Sequence, residues 1–137
     1  MSRSFQLSRN HALDMAKIHA DLFMQDDAWD TAAIEDLLAL PTTHALGIRA
    51  DSALVAFIIV QFIPPEAEIL TLATASNFQR RGLAGQLIDD LQNELAPQGL
   101  QKWLLDVAAD NLSAVAFYRK KGFQEDGRRP RYYKRLE

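Results

Sequence analysis

Phe78-Gln79-Arg80-Arg81-Gly82-Leu83-Ala84-Gly85 stands between a strand-like run that ends near Thr74 and a helix pattern over about 82–95. Leu83, Leu87, Leu91 and Leu95 carry that helix at four-residue spacing, and Pro97 and Gly99 end it. A turn at this place presents successive backbone N–H groups at a helix N-terminus, where unsatisfied donors and the positive end of the dipole favour an anion. The small residues at 82, 84 and 85 let a pyrophosphate approach the backbone, and Arg80 and Arg81 add positive charge. In isolation Arg-Arg-Gly reads more readily as a solvated basic turn with a glycine cap. Its position between a strand and an amphipathic helix is what points to a ligand, without naming one.

Three β-type runs precede the loop: Thr43–Ile48, Ala53–Phe62 and Glu68–Thr74. Arg49-Ala-Asp-Ser52 and Ile63-Pro-Pro-Glu66 separate them, and turns this short predict an antiparallel meander. Phe5–Leu7 reads as a short first strand. Ala12, Met15, Ala16, His19 and Phe23 predict a helix over about 11–24. A second helix starts with Asp30 as N-cap and runs through Ile34, Leu37 and Leu38 to Pro41. After the Leu-rich helix come a buried strand, Lys102–Val107, a helix over about 111–121 capped by Gly122, and a strand beginning at Phe123. This order describes a mixed α/β fold whose final strands flank a helix as in a crossover unit. With no repeat, low-complexity tract or linker, residues 1–137 are expected to form one domain.

The 15 Lys and Arg against 18 Asp and Glu give a net charge of −3, and there is no cysteine. Disulfides, thiolate metal sites and a cysteine nucleophile are thereby excluded. His11, His19 and His44 lack ligand spacing, so no metal is expected. The longest apolar run, Ala53–Val60, is far short of the ~20 residues that span a bilayer. The N-terminus has no secretory apolar core, so the expected location is the cytoplasm, with no membrane partner. Residues 119–135 carry eight basic and two acidic side chains, a local charge of +6 that leaves −9 for the rest. A basic segment on an acidic body suits a small phosphate-bearing ligand better than a nucleic-acid duplex.

A second constellation follows the strand that carries Asp106: Asn111-Leu-Ser-Ala-Val-Ala-Phe-Tyr118-Arg-Lys-Lys-Gly122-Phe123. On a helix, Asn111 lies at the N-terminal end, while Ala114, Phe117, Tyr118 and Lys121 share one side. Singly, Asn111 reads as an N-cap and the two aromatics as core.

Together the two constellations resemble the GNAT-superfamily acetyltransferases. Gln79-Arg-Arg-Gly82-Leu-Ala84 looks like the Gln/Arg-x-x-Gly-x-Gly/Ala signature, and Asn111-x-x-Ala114-x-x-Phe-Tyr118-x-x-x-Gly122-Phe123 like the second motif of that family. Glu68-Ile-Leu-Thr-Leu-Ala73, Asp106-Val-Ala-Ala-Asp-Asn111 and Gly127-Arg-Arg-Pro-Arg-Tyr-Tyr133 resemble its RimI-like branch, which acetylates the N-terminal alanine of a ribosomal protein.

The resemblance implies an α/β GNAT fold: a mixed, mostly antiparallel sheet with a V-shaped splay between two parallel strands, Glu68–Thr74 and Trp103–Val107, flanked by four helices. The co-substrate it implies is acetyl-CoA. Leu72, Ala73 and Thr74 would hold the pantetheine, Gln79, Arg80, Arg81, Gly82, Leu83 and Ala84 the pyrophosphate, and Asn111 and Tyr118 would complete that site. Tyr118 would protonate the departing thiolate. Asp106 stands where the RimI-like branch has a glutamate base, one methylene shorter, and Glu68 is the second candidate base. Trp29, Tyr132 and Tyr133 would line the acceptor groove, with Asp26 and Asp27 as an acidic rim. The acceptor so implied is the α-amine of a protein N-terminus, acetylated by direct attack in a ternary complex. A small-molecule amine acceptor, or a non-catalytic acyl-CoA-binding regulator, are the alternatives. Because the chain stops at Lys134-Arg-Leu-Glu137, where the family continues through a loop into a further strand, the final strand is expected to be missing.

Overall fold

The computed structural model describes residues 3–23, 28–127 and 130–136. In chain order the elements are β1 (Ser4–Gln6), α1 (Ala12–Leu22), α2 (Thr31–Leu38), β2 (Thr43–Ala50), β3 (Ala53–Ile63), β4 (Glu66–Thr74), α3 (Leu83–Leu95), β5 (Lys102–Asp106), α4 (Leu112–Lys120), β6 (Gln124–Glu125) and β7 (Arg131–Arg135). The strands form one sheet in the order β1-β2-β3-β4-β5-β7-β6. The β2-β3-β4 meander is antiparallel as the short turns predict, and β4 and β5 are the one parallel pair among the described strands.

β3 is the centre of both the sheet and the core. Its run from Val55 to Val60 is buried on both faces, which is why its sequence is continuously apolar instead of alternating. Ala56, Ile58 and Val60 pack with Leu87, Ile88, Leu91 and Leu95 of α3. Phe57 and Ile59 pack on the opposite face with Met15 and Ile18 of α1 and Ile34 of α2. Trp103 of β5 is fully buried, and its indole N–H is satisfied by donating to Gln92 Oε1 at 3.0 Å. The Asp30 carboxylate caps α2 by accepting from the Ala33 N–H at 2.8 Å, and Asn111 caps α4 in the same way.

Besides a register shift between β2 and β3 at Ile48/Arg49, two irregularities of β4 interrupt the regular ladder of the sheet. The β3–β4 register passes from Ile59↔Thr71 to Val60↔Ile69, so Leu70 is an extra residue, a β-bulge. Before it, Ala67 and Ile69 face α3; after it, Ala73 faces the α1 and α2 side while Leu72 packs on the α3 side. The parallel pairing of β4 with β5 stops at Ile69↔Leu105, although β4 continues to Thr74.

The final strand is present, contrary to the expectation that it is missing. Arg131–Arg135 is inserted between β5 and β6, pairing antiparallel with both. Gly127, at φ +70°, precedes this strand, which carries the two tyrosines expected to line a groove. Alternation along β7 then separates its two tyrosines. Tyr132, opposite Leu105, is buried in the α3-side core and does not line a groove, whereas Tyr133, opposite Leu104, faces the other side.

No helix among the described residues is long and apolar enough to cross a membrane. Truncating Leu91, fully buried at the centre of the α3 packing, should cost about 2–5 kcal/mol in Leu91→Ala. Leu112→Ala, at a side chain 74% exposed, should stay within about 0.5 kcal/mol of the parent. Urea denaturation of the two variants checks both.

Candidate active site

The divergence of β4 and β5 opens a cleft of about 600 Å³ on the α3 and α4 side of the sheet. The bulge at Leu70 turns Leu72 and Thr74 into this cleft, and the loop after β4 forms its next wall. Gln79 fixes that loop by donating its side-chain N–H to the Thr74 carbonyl at 3.1 Å. Arg80 and Gly82 take left-handed backbone conformations, at φ +66° and +80°. Glycine adopts this conformation without strain, and it allows the chain to double back into the first turn of α3. A Cβ placed at Gly82 would meet no protein atom within 4 Å, so the space beside this backbone is open. Gly85, Ala84 and the N-terminal end of α3 complete an amide-rich wall suited to an anion.

The opposite wall comes from α4. Asn111 lines the cleft while its Oδ1 accepts from the Ala114 N–H at 3.3 Å, so the cap and the binding position are one residue. Tyr118 lies against Phe117 and Phe123 with ring centroids 5.1 and 5.4 Å away. Burial pushes its phenol up to about 12, which keeps the hydroxyl protonated throughout the neutral range. Lys121 Nζ joins α4 to α3 through Asp89 Oδ1 at 2.7 Å and stands beside Gly85.

Nine of the eleven expected ligand residues line the cleft: Leu72, Thr74, Gln79, Arg80, Gly82, Leu83, Ala84, Asn111 and Tyr118. Ala73 is not among the lining residues, because the bulge turns its side chain into the core beneath α1 and α2. Arg81 is exposed, with its guanidinium 4.9 Å over the Phe78 ring. Leu22, at the end of α1, lies outside both quoted stretches, whereas Phe78 and Ser113 lie inside them without an expected ligand role. Nothing in the local spacing of Leu22 marks it; the fold brings it to the cleft.

The other face of the sheet holds the two carboxylates. Glu68 and Asp106 lie on the side opposite Trp103 and Leu105, and a residue the sequence reading did not single out joins them. Arg131 Nη1 donates to Glu68 Oε2 and to Asp106 Oδ1, both at 2.9 Å. The hydrogen bond to Glu68 is the main cause holding the Arg131 guanidinium above its ordinary range. Acid and base candidates therefore stand on opposite faces of the sheet, near the place where β4 parts from β5.

Tyr133 is the tyrosine on this carboxylate face, flanked by Lys102 Nζ and Arg135 at 5.1 and 5.6 Å from its ring centre. Trp29 is half-buried and stacks on His19 at 5.0 Å, while its backbone N–H donates to His19 Nδ1 at 3.0 Å. Burial lowers the His19 pKa, so the ring is held neutral and serves the α1–α2 connection. Asp26 and Asp27, the expected acidic rim, lie outside the described residues. No metal-binding group of three or more His, Cys, Asp or Glu occurs among the described residues.

Comparison with known proteins agrees with this geometry. The family model described as the acetyltransferase (GNAT) family matches residues 12–123. The N-alpha-acetyltransferase RimI of Mycobacterium tuberculosis is 36% identical over 132 residues, spanning 93% of this chain and 82% of that protein. The [ribosomal protein bS18]-alanine N-acetyltransferase of Salmonella typhimurium is 39% identical over 88 residues, 64% of this chain and 60% of the relative. Among solved structures, the PaiA N-acetyltransferase of Thermoplasma acidophilum in complex with coenzyme A superposes with a TM-score of 0.86 at 18% identity, covering 99% of each chain. The ribosomal-protein-S18-alanine N-acetyltransferase of Escherichia coli gives 0.84 at 21% identity, covering 100% of this chain and 95% of that one.

Gly82→Val should remove coenzyme A binding, because a β-branched residue is strained at φ +80° and its side chain enters the open space beside the loop. Titration calorimetry on the folded variant checks this; affinity within threefold of the parent would reject the loop as the pyrophosphate cradle.

Proposed function

The chain belongs to the GNAT family of acetyltransferases, which use acetyl-CoA, and on that premise we propose that it acetylates the α-amine of a protein or peptide N-terminus. The observation that carries this reading is the division of labour across the sheet. An anion-binding cleft with a protonated phenol lies on one face, and a carboxylate pair lies on the other, with the parting of β4 from β5 between them. Residues 1–137 act as one catalytic domain in this reading, and the cytoplasm is its place of action.

The reaction is a direct transfer in a ternary complex. The amine nitrogen attacks the thioester carbonyl carbon, a C–N bond forms, and the C–S bond breaks. One ammonium proton leaves toward the Glu68 and Asp106 side before attack; as the C–S bond breaks the thiolate sulfur takes the Tyr118 proton, and the second proton lost by the former ammonium nitrogen restores the phenol through solvent. An N-terminal ammonium has a pKa near about 7.7–8.0, so a sizeable fraction is already neutral at physiological pH and a weak base or an ordered water suffices. The short Asp106 side chain favours the water. With no cysteine in the chain, an acetyl-thiol relay on the protein has no nucleophile. Two features favour an N-terminal acceptor over an isolated small amine. One relative that matches over 93% of the chain is named N-alpha-acetyltransferase RimI, and the carboxylate face is open enough, with the Asp106 side chain 59% exposed, to admit an extended peptide end.

A peptide array incubated with labelled acetyl-CoA should show incorporation at free N-termini and none at N-terminally blocked controls. Turnover of polyamines or aminoglycosides with silent peptides would move the acceptor to small amines, and coenzyme A binding without any product would leave a regulator. Tyr118→Phe should lower kcat at least tenfold with little change in coenzyme A affinity. Because the Tyr118 proton is held until about pH 12, the parent enzyme should show no Tyr118-dependent fall in kcat between pH 8 and about 11. A fall near pH 10 that disappears in Tyr118→Phe would contradict the burial of this phenol.

A further inference from the structure

We propose that Arg131 is a positioning residue for the acceptor, holding Glu68 and Asp106 at one point beside the open end of the β4–β5 pair and placing a permanent positive charge next to the incoming amine. The inference rests on the N-acetyltransferase reading above and adds to it a residue outside both sequence motifs.

The geometry is specific. Glu68 belongs to β4, Asp106 to β5 and Arg131 to β7, so one guanidinium reaches across three strands. The β4–β5 pairing passes through Glu68↔Leu104 and ends one step later, which puts the two carboxylates at the fork. Both bonds, 2.9 Å each, go to the same nitrogen, Nη1. The two carboxylate oxygens are thus at most about 6 Å apart, a spacing that like charges resist without a cation between them.

The charges then decide the role. Two carboxylates and one guanidinium sum to −1, so the cluster is one positive charge short of neutral, and an acceptor ammonium completes it. Arg131 gives up no proton at any working pH and serves neither as acid nor as base. Its effect on the acceptor is through place and charge. A cation sharing the same carboxylates lies within the range, about 4–6 Å, at which a like charge disfavours the ammonium form and promotes the neutral, nucleophilic amine. The remaining charged groups on this face of β4, β5 and β7 are Glu66, Lys102 and Arg135, which form one register row two residues toward the closed end of the pair. On the β6 side, Asp126 donates its backbone N–H to the Arg131 carbonyl at 2.9 Å. None of these changes when Arg131 alone is replaced.

The test measures kcat against pH for the parent, Arg131→Met and Arg131→Lys, with saturating acetyl-CoA and a peptide that the parent acetylates. Because kcat reports the enzyme–substrate complex, its acid limb follows the bound amine and the groups around it. Arg131→Met should move that limb up by roughly one pH unit, and Arg131→Lys should bring it back to within about 0.3 of the parent. A limb that stays in place in a folded Arg131→Met overturns the proposal, since a purely structural strut would change melting temperature or yield and leave the profile alone. Should Arg131→Met fail to fold, the parent decides: a peptide with a hydroxyl in place of its α-amine should compete at least tenfold more weakly than the amine peptide, and equal competition overturns the role of charge. A parent that acetylates peptides while failing these tests refutes Arg131 alone; one that acetylates no primary amine refutes the parent reading and this inference together.

Discussion

The structure turns on how briefly β4 and β5 are paired. Four residue pairs, from Glu66↔Lys102 to Ile69↔Leu105, hold two parallel strands together, and beyond them β4 runs on without that neighbour. Backbone N–H and C=O groups left unpaired inside a sheet must find other partners. Parting strands at the middle of a seven-stranded sheet therefore create an edge that an extended ligand can satisfy by strand-like addition. The fork is stable because everything around it is anchored elsewhere: β3 holds β4 along its whole length, β7 holds β5, and α3 packs beneath β3 and β4.

The fork also separates two electrostatic environments. On the α3 and α4 side, helix-terminal amides and Arg80 make a positive rim around a cleft with apolar walls. On the far side, Glu68 and Asp106 outweigh the one guanidinium they share. On the function proposed above, an acyl donor rich in phosphate and an acceptor bearing an ammonium would be drawn to opposite faces, so that neither competes for the other's place. The desolvated phenol of Tyr118 belongs to the first environment, where a neutral hydroxyl costs less to bury than an anion.

Much of this was legible in the sequence, for identifiable reasons. The helices announce themselves by their leucine spacing and by Asp30 and Asn111 at their starts, and the meander by short turns between apolar runs. The Gln79–Ala84 loop and the α4 face were readable because residues close in sequence build them. What escaped depends on non-local geometry. The bulge at Leu70 lies inside one short strand-like run, Glu68–Thr74, with no glycine or turn residue beside it, so nothing marks the change of face that turns Ala73 away from the cleft. Arg131 and Glu68 are 63 positions apart, and only the sheet register brings them together. β7 was missed because a five-residue strand rich in Arg, Lys and Tyr lacks the apolar alternation of a half-buried strand, and it is seated by pairing on both edges.

The insertion of β7 between β5 and β6 carries a consequence for the order in which the molecule is made. Every described cleft-lining residue precedes position 119, whereas the guanidinium that gathers the two carboxylates arrives with β7, after all other elements. Contacts between segments far apart in the chain close late, because loop closure must come first. During synthesis on the ribosome, where N-terminal parts emerge and fold first, the segments that line the cleft are made before the strand that brings the guanidinium to the carboxylates. On the function proposed above, the parts that hold the co-substrate would then be made before the part that gathers the carboxylates for an acceptor.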